Sequence, residues 1–335
     1  SLEDETLKQA ILYEDTKILE SVTFEAGESE VDGLVNALAN SSYVKAEKKA
    51  AGNGTLADVA QKKFTAGTNP TVDNTAYSDG FSASEAETWN MICVDTEDTA
   101  VHALLHAFIS RIYEDGAYPM CVVSETHTVD LEERMAHAAA FNDEKVHYVL
   151  NSWVGADGTV YEGYIAAARI AGVIAASAAN ESVTHTVISG ATTLNEALTN
   201  AQIKKALKSG CIVLSLSKSR QVWIEKAINT LVNLAANQDA GWKKIRRVKT
   251  RYELMNRIEG TVEPMIGTVD NDADGRAAII AAAQRVVDAM AGEKKLLPGG
   301  TVTEDANNPA TGDSAWFIVA VDDLDSIETI YLEAE

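Results

Sequence analysis

The sequence predicts an α/β protein with a β-rich N-terminal part and an α+β C-terminal domain. Three observations lead there. The chain has 335 residues, more than one core normally serves, since single cores stop growing near ~250–300 residues. From about Tyr77 onward, apolar strand-like runs alternate with stretches of helical spacing, the pattern of parallel strands covered by helices on both faces. Before Tyr77 that rhythm is missing and turn residues are frequent. The expected divisions are residues 1–74, 75–236 and 237–335.

In the first part, Lys17 to Phe24 and Tyr43 to Ala46 read as strands, and Val31 to Leu38 as one or two helical turns. Gly52-Asn53-Gly54 and Gly67-Thr68-Asn69-Pro70 read as turns. The first of these also looks like half of a dinucleotide fingerprint, but the third glycine and the strand-turn-helix setting are missing.

The second part begins with a strand at Trp89 to Val94, a cap at Asp95-Thr96, and a helix whose apolar face is Val101, Leu104, Leu105, Phe108, Ile109 and Ile112. Gly116 stops it. The unit then recurs, with strands at Met120 to Ser124, Val146 to Leu150, Thr186 to Ser189 and Cys211 to Leu216. Helices run from Leu131 to Phe141, Gly163 to Ala178 and Asn200 to Lys208. A polar run from Asn233 to Gly241 marks the next boundary. Beyond it come a basic amphipathic segment, a loop at Asp270 to Gly275 and an Ala-rich helix from Arg276 to Ala291. Strands are expected at Trp316 to Val321 and Thr329 to Glu335. A strand at the last residue has to pair somewhere, and an unpaired edge is a template for another chain.

Hydrophobic residues at 46% and charged residues at 23% are ordinary for a folded protein. No apolar stretch approaches the ~20 residues of a membrane span, and Ser1 to Glu5 has no signal-peptide character, so a soluble, non-secreted chain is expected. Cys93, Cys121 and Cys211 sit singly in apolar runs and read as reduced buried thiols, pointing to a reducing compartment. A net charge of −22 disfavours nucleic acid and direct membrane insertion. The charge is uneven, however. Trp242 to Arg257 holds seven basic residues and one acidic, a local +6 that leaves −28 elsewhere, and Thr301 to Glu335 holds nine acidic residues and no basic ones. A cationic block and an anionic end suggest complementary contact, within the chain or between copies.

Candidate chemistry is sparse, and neither a cofactor nor a metal is expected. His102 and His106 are four apart on one helix, but Ala103 stands where a zinc protease motif needs Glu. Asp270-Asn271-Asp272-Ala273-Asp274-Gly275 matches the start of a calcium loop, but Ala281 occupies the bidentate Glu position; the favoured reading is a helix cap. Asp95, His102 and a later Ser follow a hydrolase order without the flanking glycines or a Gly-x-Ser-x-Gly. A hydrolase on the α/β domain is therefore the alternative, and a calcium-regulated binding module comes third.

Several segments in order resemble the contractile tail sheath family of myophages, prophages and R-type bacteriocins. They are Phe64 to Asn69 followed by Tyr77, Ala171-Gly172-Val173-Ile174-Ala175 with Glu181 to His185, and Ile228-Asn229-Thr230-Leu231 followed by basic Trp242 to Thr250. Met265 to Asn271 and Asp325 to Leu332 complete the series. Each is short; their shared order over about Phe64 to Glu335 makes the match specific. Departures occur at Ala176-Ser177, where the family often has Gly-Thr, and at Ala66-Gly67, where it often has Gly-Gly. The resemblance implies a subtilisin-like α/β sheath domain without the protease site, hence a non-enzyme. It also implies a structural subunit of a sheath that surrounds an inner tail tube and contracts to drive it through a target envelope.

Its implied partners are other sheath subunits in stacked rings, the inner tube protein, and baseplate and tail-terminator proteins. The implied place is a virion tail assembled in the bacterial host cytoplasm. The resemblance further implies an N-terminal arm upstream of Ser1, so this form is expected to assemble poorly. Two interface sets are expected: the terminal strand with Thr329, Tyr331, Glu333 and Glu335 as a permanent link, and Lys243, Lys244, Arg246, Arg247, Lys249 and Arg251 as switchable charged contacts.

Overall fold

Two antiparallel strands open the chain, β1 at Leu7–Glu14 and β2 at Lys17–Glu25, paired from Leu7↔Glu25 to Glu14↔Lys17. The structure, a computed structural model, describes residues 5–65, 67 and 72–328. The chain divides into two compact units at Thr71/Val72. In the first unit the hairpin turns at Asp15, which takes the left-handed conformation (φ 52°) that Asp tolerates better than most residues. Helix α1, Glu30–Ala37, follows. Glu30 is 2% exposed and accepts hydrogen bonds from Lys8 Nζ (2.8 Å), Gly27 N (2.8 Å) and Leu56 N (2.5 Å). The Lys8 contact, ahead of the two backbone donors, holds its carboxyl down at about 2.

The strand expected at Lys17 to Phe24 and the helical turns at Val31 to Leu38 are present; the strand at Tyr43 to Ala46 is not. Tyr43 is 58% exposed, and the segment is held by Ser41 Oγ, which accepts from the backbone N–H groups of Tyr43 and Val44. A side-chain bond of this kind competes with sheet pairing. Residues 68–70 of the turn read at 67–70, and the strand read at 329–335, lie outside the described residues.

The second unit starts with α2 (Asn74–Ser84), β3 (Met91–Ile92) and α3 (Thr99–Glu114). Asp98, not Asp95-Thr96, caps α3, because its carboxylate accepts from Ala100 N at 2.8 Å. Then come β4 (Met120–Ser124), α4 (Leu131–Phe141), β5 (Val146–Val149), β6 (Trp153–Gly155), β7 (Val160–Tyr161) and α5 (Tyr164–Ala176). They are followed by β8 (Ala191–Leu194), α6 (Asn200–Lys208), β9 (Cys211–Ile212), β10 (Leu214–Leu216) and β11 (Val222–Ile224). The strand expected at Thr186 to Ser189 is reduced to one bridge, Val187 to Trp223. Gly190, at φ +84°, bends the chain before it continues as β8.

β3, β4, β5 and β9 form a parallel sheet in that order, as the alternation of strands and helices predicts. Side chains of successive strand residues leave opposite faces. Cys121 and Val123 therefore join Leu105 and Ile109 of α3, Met135 and Ala138 of α4 and Ala206 of α6. Val122 joins Ala166, Ile170 and Ile174 of α5 on the other face. A three-stranded sheet (β7-β6-β8) and the β10-β11 hairpin extend this region.

The C-terminal part contains α7 (Ile245–Val262), α8 (Ala273–Gly292), β12 (Thr301–Glu304) and β13 (Phe317–Ala320). Its own apolar cluster includes Leu254, Ile258, Ala283, Val287, Met290 and Val302. Helix α7 serves three apolar clusters. Ile245 belongs to the α5 face of the sheet, and Val248 and Tyr252 pack with Met120, Tyr113 and Tyr118. Only its second half reaches the C-terminal cluster. The fold is thus mixed α/β with several small sheets.

Candidate functional site

A helix that begins with cations needs something to answer them. Lys244 is the N-cap of α7, Arg246 and Arg247 lie in its first turn, and that turn holds no acidic residue. Cations there oppose the partial positive charge of the helix N-terminus. The answer comes from the acidic end of the chain. Asp323 takes a two-point contact from Arg247, with Nη2 to Oδ1 at 2.6 Å and Nε to Oδ2, and a third from Arg251 at 3.1 Å. Asp239 lies 3.3 Å from Arg247 and 3.6 Å from Arg251. Lys244 reaches Asp325 at 2.5 Å and Glu328 at 3.5 Å; Arg246 reaches Asp325 at 3.6 Å.

The geometry depends on two small features. Arg247 crosses directly over Gly241, where an added Cβ would lie 1.8 Å from its guanidinium. Arg251 stacks on Trp242, with its guanidinium carbon 4.1 Å from the ring centre, a favourable cation–π arrangement. Burial raises the Asp323 carboxyl, but Arg247 and Arg251 more than reverse this and hold it below the usual carboxylate range. Asp323 in turn keeps Arg247 above its ordinary value.

The remaining expected interface residues also have partners inside the chain. Lys243 donates to the carbonyl of Val232 at 2.5 Å. Lys249 donates to Ile174 O (2.5 Å), Ser177 O (2.7 Å) and Ser177 Oγ (3.0 Å) at the end of α5. A cation there complements the negative helix C-terminus, although burial pulls the Lys249 amine down to about 8. All six basic residues, Lys243, Lys244, Arg246, Arg247, Lys249 and Arg251, are therefore engaged within the chain. Of the two readings left open for complementary charge, the one within the chain is realised. Thr329, Tyr331, Glu333 and Glu335 lie outside the described residues.

The other candidates separate. His102 is 2% exposed and its Nε2 bonds the carbonyl of Thr96 at 2.9 Å, while His106 Nε2 meets Asp143 at 2.8 Å. The two rings serve different partners. Asp95 accepts from the Tyr77 hydroxyl at 2.9 Å, so Asp95 and His102 are not assembled as a catalytic pair. In the 270–275 loop, Asp272 caps α8 by accepting from Gly275 N at 2.8 Å, the capping role favoured by the sequence. Gly275 is required there, since a Cβ would fall 1.9 Å from the carbonyl oxygen of Asp270. Among the described residues, no group of three or more His, Cys, Asp or Glu is placed to hold a metal, and no helix is long and apolar enough to cross a membrane.

Sequence reasoning passed over a polar cluster at the carboxyl ends of β4 and β5, the usual place for a site in an open α/β sheet. Arg134 is 1% exposed and bonds Leu150 O (2.5 Å), Val129 O (3.0 Å) and both oxygens of Glu196 (2.8 and 2.9 Å). Glu125 accepts from Tyr148 (2.5 Å) and His137 (2.8 Å). These groups are spent on one another and brace the sheet edge. Their signal in the sequence is weak, because the side-chain partners lie 12 to 62 residues apart.

Residues 71–230 match the sequence profile of the phage tail sheath protein central domain. The chain is 24% identical over 216 residues to the uncharacterized protein YqbK of Bacillus subtilis (strain 168); that stretch is 64% of this chain and 44% of YqbK. Its fold is similar to the sheath tail protein from Desulfitobacterium hafniense (TM-score 0.71, 22% identity, 97% of this chain and 75% of that one). It is also similar to the sheath tail protein from Listeria innocua (0.67, 17%, 96% and 74%). The helical sheath of the anti-feeding prophage in its contracted state matches at a TM-score of 0.60, with 11% identity over 80% of this chain and 76% of that one. The resemblance read from motif order is therefore shown: residues 71–230 match the profile of the phage tail sheath central domain, within a chain that shares its fold with sheath tail proteins.

Proposed function

We propose that the chain is a structural subunit of a contractile tail sheath, one that surrounds an inner tail tube and contracts to drive it through a target envelope. The observation that carries this is the match of residues 71–230 to the sheath central domain; similarity of fold to contracted sheaths of injection systems supports a structural role. In this reading the second unit contains a subtilisin-like α/β sheath domain in which Asp95 and His102 have taken structural partners. Its partners would be further copies in stacked rings, an inner tube, a baseplate and a tail terminator. The place of action is a virion tail put together in the host cytoplasm.

The terminal residues Thr329, Tyr331, Glu333 and Glu335 are proposed as a strand link between copies. The basic block acts first on the chain's own acidic end, and through it on contacts between copies. Charge reversal at Lys243, Lys244, Arg246 and Arg247 is expected to impair assembly or contraction; intact, contracting sheaths from that variant would remove the block from the mechanism. The direct test is deletion of the gene in the organism that encodes it, followed by electron microscopy of its tail particles. Bare tubes are the expected result, and sheathed tails that still contract would overturn the reading.

A further inference from the structure

Residues 322–328 are held in two different ways. Up to Leu324 the backbone is paired: Leu297 N donates to Asp322 O at 2.8 Å, Leu324 N to Lys295 O at 3.1 Å, and Leu296 bridges Asp323. Past Leu324, among the described residues, no backbone-to-backbone hydrogen bond holds the segment. Side-chain carboxylates take over. Glu328, whose side chain is 7% exposed, accepts from Ser182 Oγ at 2.7 Å and Thr184 Oγ1 at 3.2 Å, and faces Lys244 at 3.5 Å. Asp325 faces Lys244 and Arg246. The cradle is built on two separate pieces of chain, the Ser182–Thr184 turn and the start of α7.

Two properties distinguish this contact from a permanent one. First, Ile327, the large apolar side chain of the 325–328 stretch, points outward at 85% exposure, so lifting the stretch exposes little new apolar surface. The usual hydrophobic resistance to opening is missing. Second, the polar match is incomplete. Arg246 Nη1, Ser326 Oγ and Glu328 Oε2 are buried without a hydrogen-bond partner, and the ion pairs that touch two of these atoms are long, at 3.5 and 3.6 Å. Unmatched buried polar groups carry a desolvation cost that water relieves on opening.

We propose that residues 325–328 form a releasable ionic latch: the Ser182, Thr184, Lys244 and Arg246 cradle is a carboxylate-binding site, filled in cis by Asp325 and Glu328, that can let residues 325–328 go while β12, β13 and the Asp323 pairs stay closed. Opening breaks no covalent bond and is favoured by salt, because both carboxylates face Lys244 and Asp325 also faces Arg246. This inference stands apart from the sheath reading, since it concerns one chain in solution.

Glutamyl endopeptidase reads the latch directly, because it must bind the Glu328 side chain to cleave after it. The full chain is digested under native conditions, and mass spectrometry follows release of the peptides that begin at Thr329 (329–333 and 329–335), normalised to cleavage after Glu87 in an exposed turn. Release is expected to accelerate at least tenfold in Ser182→Ala and in Lys244→Gln, and likewise for the unaltered chain in 1 M NaCl. Cleavage after Glu304 on β12 should not change. Equal release rates in the unaltered chain at low and high salt would overturn the proposal. So would a matching rise after Glu304, which would mean that the whole C-terminal part opens together.

Discussion

Around the parallel sheet, Leu105, Ile109, Val122, Val146, Val149 and Ile212 are each 0% exposed and pack with other apolar side chains. At the C-terminal seam, Asp239, Asp323, Asp325 and Glu328 meet Lys244, Arg246, Arg247 and Arg251 instead. Both regions hold distant segments together, but by different physics. Apolar burial is non-directional and largely indifferent to salt, whereas partly buried ion pairs depend on geometry, pH and ionic strength. The sheet is suited to permanence. The seam is suited to a contact that the conditions can adjust.

The sharpest way to break this contrast is to damage each region and compare. Leu105→Ala should cost about 3–5 kcal/mol, read as a lower urea midpoint, with nearly the same loss at low and high salt. A salt-dependent loss would show that the sheet region is not held as described.

The second test uses an ionisable side chain buried inside the sheet, His147. His147 on β5 is 0% exposed and both its ring nitrogens are unpaired. Burial, with Lys249 adding to it and Asp143 opposing, lowers it from 6.5 to about 3. The unfolded chain takes up this proton more readily than the folded one. Stability is therefore complete above pH 6.5 and declines as pH falls towards 3, by up to about 1.4 kcal/mol per unit. Urea titrations at pH 7 and pH 5 should show a loss of about 2 kcal/mol that His147→Leu removes. An unchanged difference in the variant would assign the acid sensitivity elsewhere.

Third, Arg247→Gln should cost about 1.5–3 kcal/mol, the usual range for a hydrogen bond to a charged group. Unlike Leu105→Ala, its effect should shrink in 1 M NaCl, because the parent contact is already weakened there. Equal losses at both salt concentrations would erase the distinction between the two regions. The smallest effect is local: Asp272→Ala removes the cap of α8 and should cost about 1 kcal/mol, seen as a lower melting temperature. Added calcium should leave the melting temperature of the unaltered chain where it is.

Much of the second unit was legible because its signals are local. The helices expected at Leu131 to Phe141 and Asn200 to Lys208 have those same bounds. Asp130 caps the first, and Thr199 with Gln202 forms a capping box on the second; both devices lie within four residues of the helix start. Strand β1 was not expected, since Leu7 to Glu14 lacks clean alternation and its pairing depends on the turn at Asp15 and on β2. β12 escaped for the same reason, being four residues long with one buried side chain and a partner in β13. Arg134 was overlooked because a charged residue in an amphipathic helix ordinarily faces water; here Glu196, 62 residues away, supplies its counter-charge.

By itself the sequence determined the alternation of strands and helices, the capping of α8 by the Asp270 to Gly275 loop, the order of motifs shared with tail sheath proteins, and the unequal distribution of charge. These follow from short-range periodicity, turn chemistry and composition. Only the tertiary structure decided where that charge is spent. Lys244 and Asp325 are 81 residues apart, and Arg251 and Asp323 are 72 apart. Coulombic attraction has no sequence period, so any of nine terminal carboxylates could have answered any of the seven cations. The packing of α7 among three apolar clusters brings Asp323, Asp325 and Glu328 within reach and makes a basic block that looked like an external surface into the clasp of the chain's own acidic end.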